Sequence, residues 1–555
     1  MPYYPTRRVT VIARDPSVQV HGAIVRTAVE IPNEELQAGP RGYRVQVVDY
    51  DSSTSILYKT LTAPPNRADG PPADPFQRCS DDELLASPDF HAMNSYAIVM
   101  RTLARFEFAL GRRVAWSFPG HQMKVAPHAF ADPNAFYSSE DEALLFGYFP
   151  RPDGRRHIFG CLAHDIIAHE TTHALLDGLR ARYTDPSSPE QAGFHEGFAD
   201  VVALLSVFAL REVVEKVLDP AADGDRISAS AVTADALRQS ILLGLGQEFG
   251  QELSGIRGNP LRRSVSLRPE RAARHDPEPH HRGEVLVAAV MDAFLNVWVR
   301  RLGPYIHDGA LDRGRAVEEG AGVADRLLTI CIRALDYCPP TDLQFCDFAS
   351  ALLTADWEMY PRDAKYFFRD ELRDSFRRYG IRPASAGTRE PGAWDPPEEE
   401  PVYDRTHFEE MQRDPDEVFR FIWENRRLFR LHENAYTRVL SVRPCLRTGA
   451  DGFVLRETVV EYVQLIRVRA TELKTLGIRR PPGMPGQLEV TLYGGNAMIF
   501  NQFGRVKYNI GNSLFNTKRQ QARLNHLWEC GFYSSDTAPA SRFASMHRRR
   551  MMEFR

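Results

Sequence analysis

A mixed α+β fold with more than one structural unit is what this sequence predicts, on three observations. Short alternating segments, Arg8–Arg14 and Tyr43–Tyr50, open the chain as strands. Apolar residues at helical spacing then dominate residues 158–382. Residues 383–402 are rich in Pro, Gly, Glu and Asp without periodicity, and a region of alternating strand and helix patterns follows at 403–555. A chain of 555 residues also exceeds what one hydrophobic core serves. The expected organisation is therefore a β-rich part at 1–157, a helical part at 158–382, a linker at 383–402 and an accessory α+β domain at 403–555.

Taken in order, Gly39–Gly42 reads as a turn between the first strands, and residues 62–76 as a Pro/Asp/Ala loop. A helix is expected from Asp81 and a longer one over Asp89–Gly111, with strands and an edge in Arg113–Tyr148. Ile158–Leu179 reads as an apolar helix with Gly178 and Pro186 at its exit, and Glu196–Leu210 as a second, buried one. Gly283–Gly380 is helical, punctuated by Pro339-Pro340 and Pro361. Past the linker come helices within His407–Leu431, then strands Arg438–Arg443 and Phe453–Arg469. A pair, Leu488–Leu492 and Ala497–Phe500, flanks Gly494-Gly495, which reads as hairpin punctuation, and Val506–Ile510 follows. The chain closes on a helix at Lys518–Glu529 and a basic tail, Arg548–Arg550.

Composition narrows the function classes. With 26% charged residues and a net charge of −4, nothing favours nucleic acid or an anionic membrane as partner. The longest apolar stretches, Val201–Leu210 and Val285–Val299, are too short or carry an Asp, so no membrane span is expected. The seven cysteines are scattered, odd in number and without a Cys-x-x-Cys pair, which is the usage of reduced, buried thiols. With no apolar signal segment at the N-terminus, the expected location is cytoplasmic.

The chemistry concentrates at residues 169–173, His-Glu-Thr-Thr-His. On a helix His169 and His173 project from one face and can hold one Zn²⁺, while Glu170 stands beside them to take a proton from an attacking water. A catalytic zinc commonly takes three protein ligands. Asp177 continues the same helical stripe, but reaching back to the metal from there is strained. Glu196, on the following buried helix, is better placed, and Asp200 one turn on can accept the free N–H of a ligand histidine.

With these residues the chain resembles the thermolysin-like metallopeptidases, zinc endopeptidases whose third ligand is Glu. The likeness extends over about residues 40–382. Asp89-Phe-His-Ala-Met-Asn-Ser-Tyr opens a helix where the family has a comparable one, and Pro133–Tyr137 is similar to its substrate-pairing edge strand. The resemblance implies two lobes, β-rich and helical, with the zinc cleft between them, and a smaller α+β domain appended. It implies that Asn134 and the carbonyl of Ala135 hold the peptide by β-augmentation. His280 oriented by Asp276, or else His281, would donate to the oxyanion, with Tyr183 as a second donor. Arg262, or its neighbour Arg263, would bind a substrate carbonyl.

Three departures qualify the resemblance. The signal and propeptide of secreted members are not seen. Val201–Leu210 lacks the carboxylates those members use for Ca²⁺, so no Ca²⁺ site of that type is expected. Residues 403–555 have no counterpart in them and are the expected place for recognition or control by a regulatory partner. The function expected is hydrolysis of a peptide or protein substrate, narrow or gated. A zinc aminopeptidase with the same triad, or a silent zinc-binding scaffold, are the alternatives; retention of Glu170 argues against the scaffold.

Overall fold

The computed structural model describes residues 5–16, 19–20, 22–59, 61, 73–150, 157–185, 187–218, 224–244, 264–272, 279–449 and 452–534. It is a mixed α+β fold with several sheets. Strands β1 (Thr6–Ile12) and β2 (Arg26–Pro32) pair antiparallel, with Arg8 opposite Glu30. A second sheet begins with β3 (Val45–Val47). Helix α1 (Pro88–Leu110) packs behind both, started by Ser87, whose side chain accepts the Phe90 N–H, and ended at Gly111 with φ 68°. The second sheet continues with β4 (Met123–Phe130), β5 (Ala135–Ser138), β6 (Ala143–Pro150) and β7 (His157–Phe159). Its order is β7-β6-β4-β3, and β5 pairs with β6 alone.

Helix α2 (His164–Leu179) starts later than its apolar pattern predicts. His157–Phe159 alternates and pairs with Tyr148–Pro150 as β7, and a short 3₁₀ turn at Gly160–Leu162 intervenes. Helix α3 (Pro189–Phe208) instead starts earlier than expected, because Ser188 and Pro189 form a complete start signal: the Ser188 side chain accepts the Gln191 N–H. Helix α4 (Pro279–Leu302) crosses α3 at glycine on glycine. A Cβ on Gly197 would lie 2.8 Å from the Gly283 oxygen, and one on Gly283 would lie 2.9 Å from the Gly193 oxygen. This close approach sets Gly283 of α4 against the Cβ of Glu196. Helices α5 (Arg313–Ala334), α6 (Phe345–Met359) and α7 (Phe368–Arg378) complete the helical block.

Residues 383–402, expected to be a linker, contain no helix or strand but are not a free tether. Ala393 is buried and the Trp394 indole N–H donates to the Tyr337 carbonyl at 2.9 Å. Beyond them come α8 (Pro415–Glu424) and a four-stranded antiparallel meander. Its strands are β8 (Tyr436–Thr448), β9 (Val454–Arg469), β10 (Glu489–Asn501) and β11 (Val506–Asn512), and α9 (Thr517–Glu529) follows. Gly494-Gly495, expected to punctuate a hairpin, lies inside the unbroken strand β10. The glycines serve close packing instead: a Cβ on Gly495 would sit 2.5 Å from the Tyr462 oxygen.

The middle of this sheet, around Glu457–Gln464 of β9, is buried on both faces. Alternate residues of one strand divide between two cores: Val459 joins the large core of the helical block, and Val460 and Tyr462 join a cluster with Val418 and Phe421 of α8. Ionic contacts deepen the union. Asp336, buried, receives Arg112 of the segment after α1 at 2.6 and 2.7 Å and also Arg447 of β8. Arg447 reaches on to Glu457 at 2.7 Å, and Lys507 binds Glu457 at 2.7 Å. Arg519 and Arg523 of α9 hold Asp347 and Asp342. Residues 403–534 thus complete the fold of the helical block. No helix among the described residues is long and apolar enough to cross a membrane.

Candidate functional site

Four side chains from α2 and α3 converge. His169 and His173 stand four positions apart on α2, and their Nε2 atoms come within 2.9 Å of one another. Glu196 Oε2 lies 3.7 Å from the first and 3.8 Å from the second. Asp200, one turn along α3, accepts from His169 Nδ1 at 2.8 Å. That bond turns His169 Nε2 towards the other donors, the nitrogen through which the neutral ring would bind a metal. The three donors form one of two groups among the described residues that could hold a metal ion. Burial opposes charge on His169, but its bonds to Asp200 and Glu196 and the nearby Glu170 outweigh it and hold the imidazole pKa well above its ordinary value.

Glu170 is buried beside the donors. Its Oε2 accepts the backbone N–H of Tyr137 at 3.0 Å. Since β5 pairs only with β6 among the described residues, and Phe136 stands opposite Leu145, the Tyr137 N–H points from the open edge of that strand. By the two-residue period, the carbonyl of Ala135 faces the same edge. Asn134 sits just before the strand, its carbonyl accepting the Gly147 N–H at 2.7 Å. The Tyr137 hydroxyl donates to Asp177 at 3.0 Å, pinning the edge to α2. Asp177 therefore secures the strand rather than joining the donors.

Tyr183 requires correction as an oxyanion donor. It is buried against Phe194, and its hydroxyl donates to the Pro339 carbonyl at 2.8 Å. Tyr183→Phe is expected to leave turnover unchanged and to lower stability by about 1 kcal/mol; a fall in turnover of about 10²-fold would restore the catalytic role. Asp276, Arg262 and Arg263 lie outside the described residues. His280 falls in the first turn of α4, but its side chain lies outside them too; His281 is exposed there.

His195 is a site residue that spacing did not reveal. Its Nδ1 lies 2.8 Å from His173 Nδ1, and the two rings stack at 4.8 Å. If His173 carries its proton on Nδ1 and donates it to His195, its Nε2 lone pair is aimed at the other donors, as in His169. The available signal was adjacency: on a helix buried all round, the residue before Glu196 faces protein too.

No protein-family model matches the chain, and a search of the curated proteins gives no match.

Proposed function

We propose that this chain is a zinc endopeptidase of the thermolysin-like kind, with the β-rich N-terminal part and the helical block as its two lobes. The observation that carries the reading is the meeting of the His169 and His173 Nε2 atoms with the Glu196 carboxylate beside Glu170, which in turn touches an open strand edge. Two imidazole nitrogens and one carboxylate oxygen, with Asp200 fixing His169, suit Zn²⁺. Bound there, zinc would acidify a water and polarise a carbonyl.

The chain's own groups account for the rest. An extended peptide adds to the edge of β5 through the Ala135 carbonyl, with Asn134 at its end. Glu170, held by the Tyr137 N–H, accepts the proton of the attacking water and returns it to the leaving amine. His280 and His281, at the start of α4, are the candidate donors to the developing oxyanion. Arg262 or Arg263 remains the candidate for a substrate carbonyl.

Incubation of the full chain with a peptide library tests the reading. Cleavage inside the peptides, lost on chelation and regained with zinc, is the expected result. Release of N-terminal residues alone would indicate an aminopeptidase. No cleavage by zinc-loaded protein would leave a scaffold.

A further inference from the structure

The second group of metal-competent side chains stands apart from the first, where β4, α1 and the turn before α2 meet. His91 of α1, His128 of β4 and Cys161 of the 3₁₀ turn are all buried, with their ligand atoms within 4.8 Å of one another. His91 Nε2 lies 3.0 Å from the Leu85 carbonyl, which can only accept, so that nitrogen carries the proton. His128 Nδ1 lies 2.8 Å from a carboxylate oxygen of Asp49, whose other oxygen accepts the His128 backbone N–H at 3.1 Å. That nitrogen is protonated as well.

In the neutral rings both remaining nitrogens are bare lone pairs, yet His91 Nδ1 and His128 Nε2 face each other at 2.8 Å. Two lone pairs at that distance repel unless a proton or a cation sits between them. A shared proton would place an imidazolium among aromatic rings, with Phe159 at 4.7 Å from His91 and 5.1 Å from His128, and Tyr58 at 5.0 Å from His128. Burial opposes that charge. A metal ion resolves the conflict and gives the Cys161 thiol a reason to ionise.

We propose that His91, His128 and Cys161 bind a second, thiophilic metal ion of the zinc or copper class, with Asp49 orienting His128. Two imidazoles and a thiolate select such ions over Mg²⁺ or Ca²⁺, and the carboxylate behind a ligand histidine is the usual support. The ion would clamp α1 and β4 to the segment that leads into α2. Its place is structural, and it does not depend on the peptidase reading.

Elemental analysis and cobalt substitution of the full chain test it. Two metal equivalents per chain are expected, and cobalt-loaded protein should show the near-ultraviolet charge-transfer band of a thiolate ligand. A His169→Ala/His173→Ala variant should keep that band and one equivalent, so loss of the first site leaves this test intact. Cys161→Ser should lose the band and one equivalent; should it fail to fold, His128→Gln makes the same comparison. No band with at most one equivalent in the wild type, or a band that survives Cys161→Ser or His128→Gln, would overturn the proposal. Whether zinc or copper copurifies identifies the native ion.

Discussion

Glu170→Gln is expected to slow peptide hydrolysis by at least about 10²-fold while leaving the metal content unchanged. Gln keeps the size of the side chain, and its amide oxygen can still accept the Tyr137 N–H now bonded at 3.0 Å. His169, His173 and Glu196 are untouched. What disappears is a group able to take a proton and give it back. Positioned acid–base groups contribute about 10²–10⁴ in rate, so kcat should fall by that factor with KM little changed. The paired readout of steady-state kinetics and elemental analysis separates this from collapse of the site. A variant retaining more than about a tenth of wild-type kcat would remove Glu170 from the mechanism.

Arg447→Met carries the largest expected effect on stability. The guanidinium lies buried between Asp336 and Glu457, and both carboxylates are sealed from water. Deleting one partner of such a buried pair costs about 3–5 kcal/mol, because the charges left behind are uncompensated. Chemical denaturation should show that loss, and a change under about 1 kcal/mol would mean the network contributes no more than a surface pair. Acid gives an independent check. Burial would raise the Asp336 pKa, but Arg112 and Arg447 overcome it and hold the group well below the usual carboxylate range. A depressed folded pKa contributes stability that is complete above the unfolded value, about 4, and is lost as pH falls towards the folded one. Wild-type stability should therefore fall steeply below about pH 4, and the Arg447→Met variant less steeply.

The same network bears on how the C-terminal region can be studied. Ending the chain near residue 385 would strip Val459, Ile499, Tyr508 and Ile510 from the large core and leave Asp336 without Arg447. Such a fragment would report on folding rather than on regulation. Substitutions on the exposed face of α8, such as Phe419 or Trp423, are the better probes of partner binding.

The donor cluster was legible because its geometry is local. Histidines four apart on one helix must share a face, and Glu196 and Asp200 repeat that spacing on the next helix. Its supports were not, since they join distant segments: the Tyr137 N–H reaches Glu170 across 33 positions, and Arg112 reaches Asp336 across 224. Tyr183 illustrates the limit, because spacing along a chain does not say which way a side chain turns at a helix exit. Gly494-Gly495 is a different failure. Glycine marks both turns and tight strand neighbours, and only the pairing with β9 distinguishes them. The start of α3, by contrast, was written in Ser188-Pro189 and outweighed by the later apolar run.

Arg443 of β8 donates to the carbonyl of Leu179, the last residue of α2, at 3.2 Å, and Arg180 just beyond meets Glu461 of β9. The helix that carries both histidines is thus tied at its end to strands made more than two hundred residues later in synthesis. A ribosome finishes α2 long before its anchors exist. During that interval the nascent chain lacks the sheet that completes its core, so the helix bearing both histidines would gain its final support only once this segment is made. The order of manufacture would then delay the assembly of the donor cluster until the rest of the chain can shelter it.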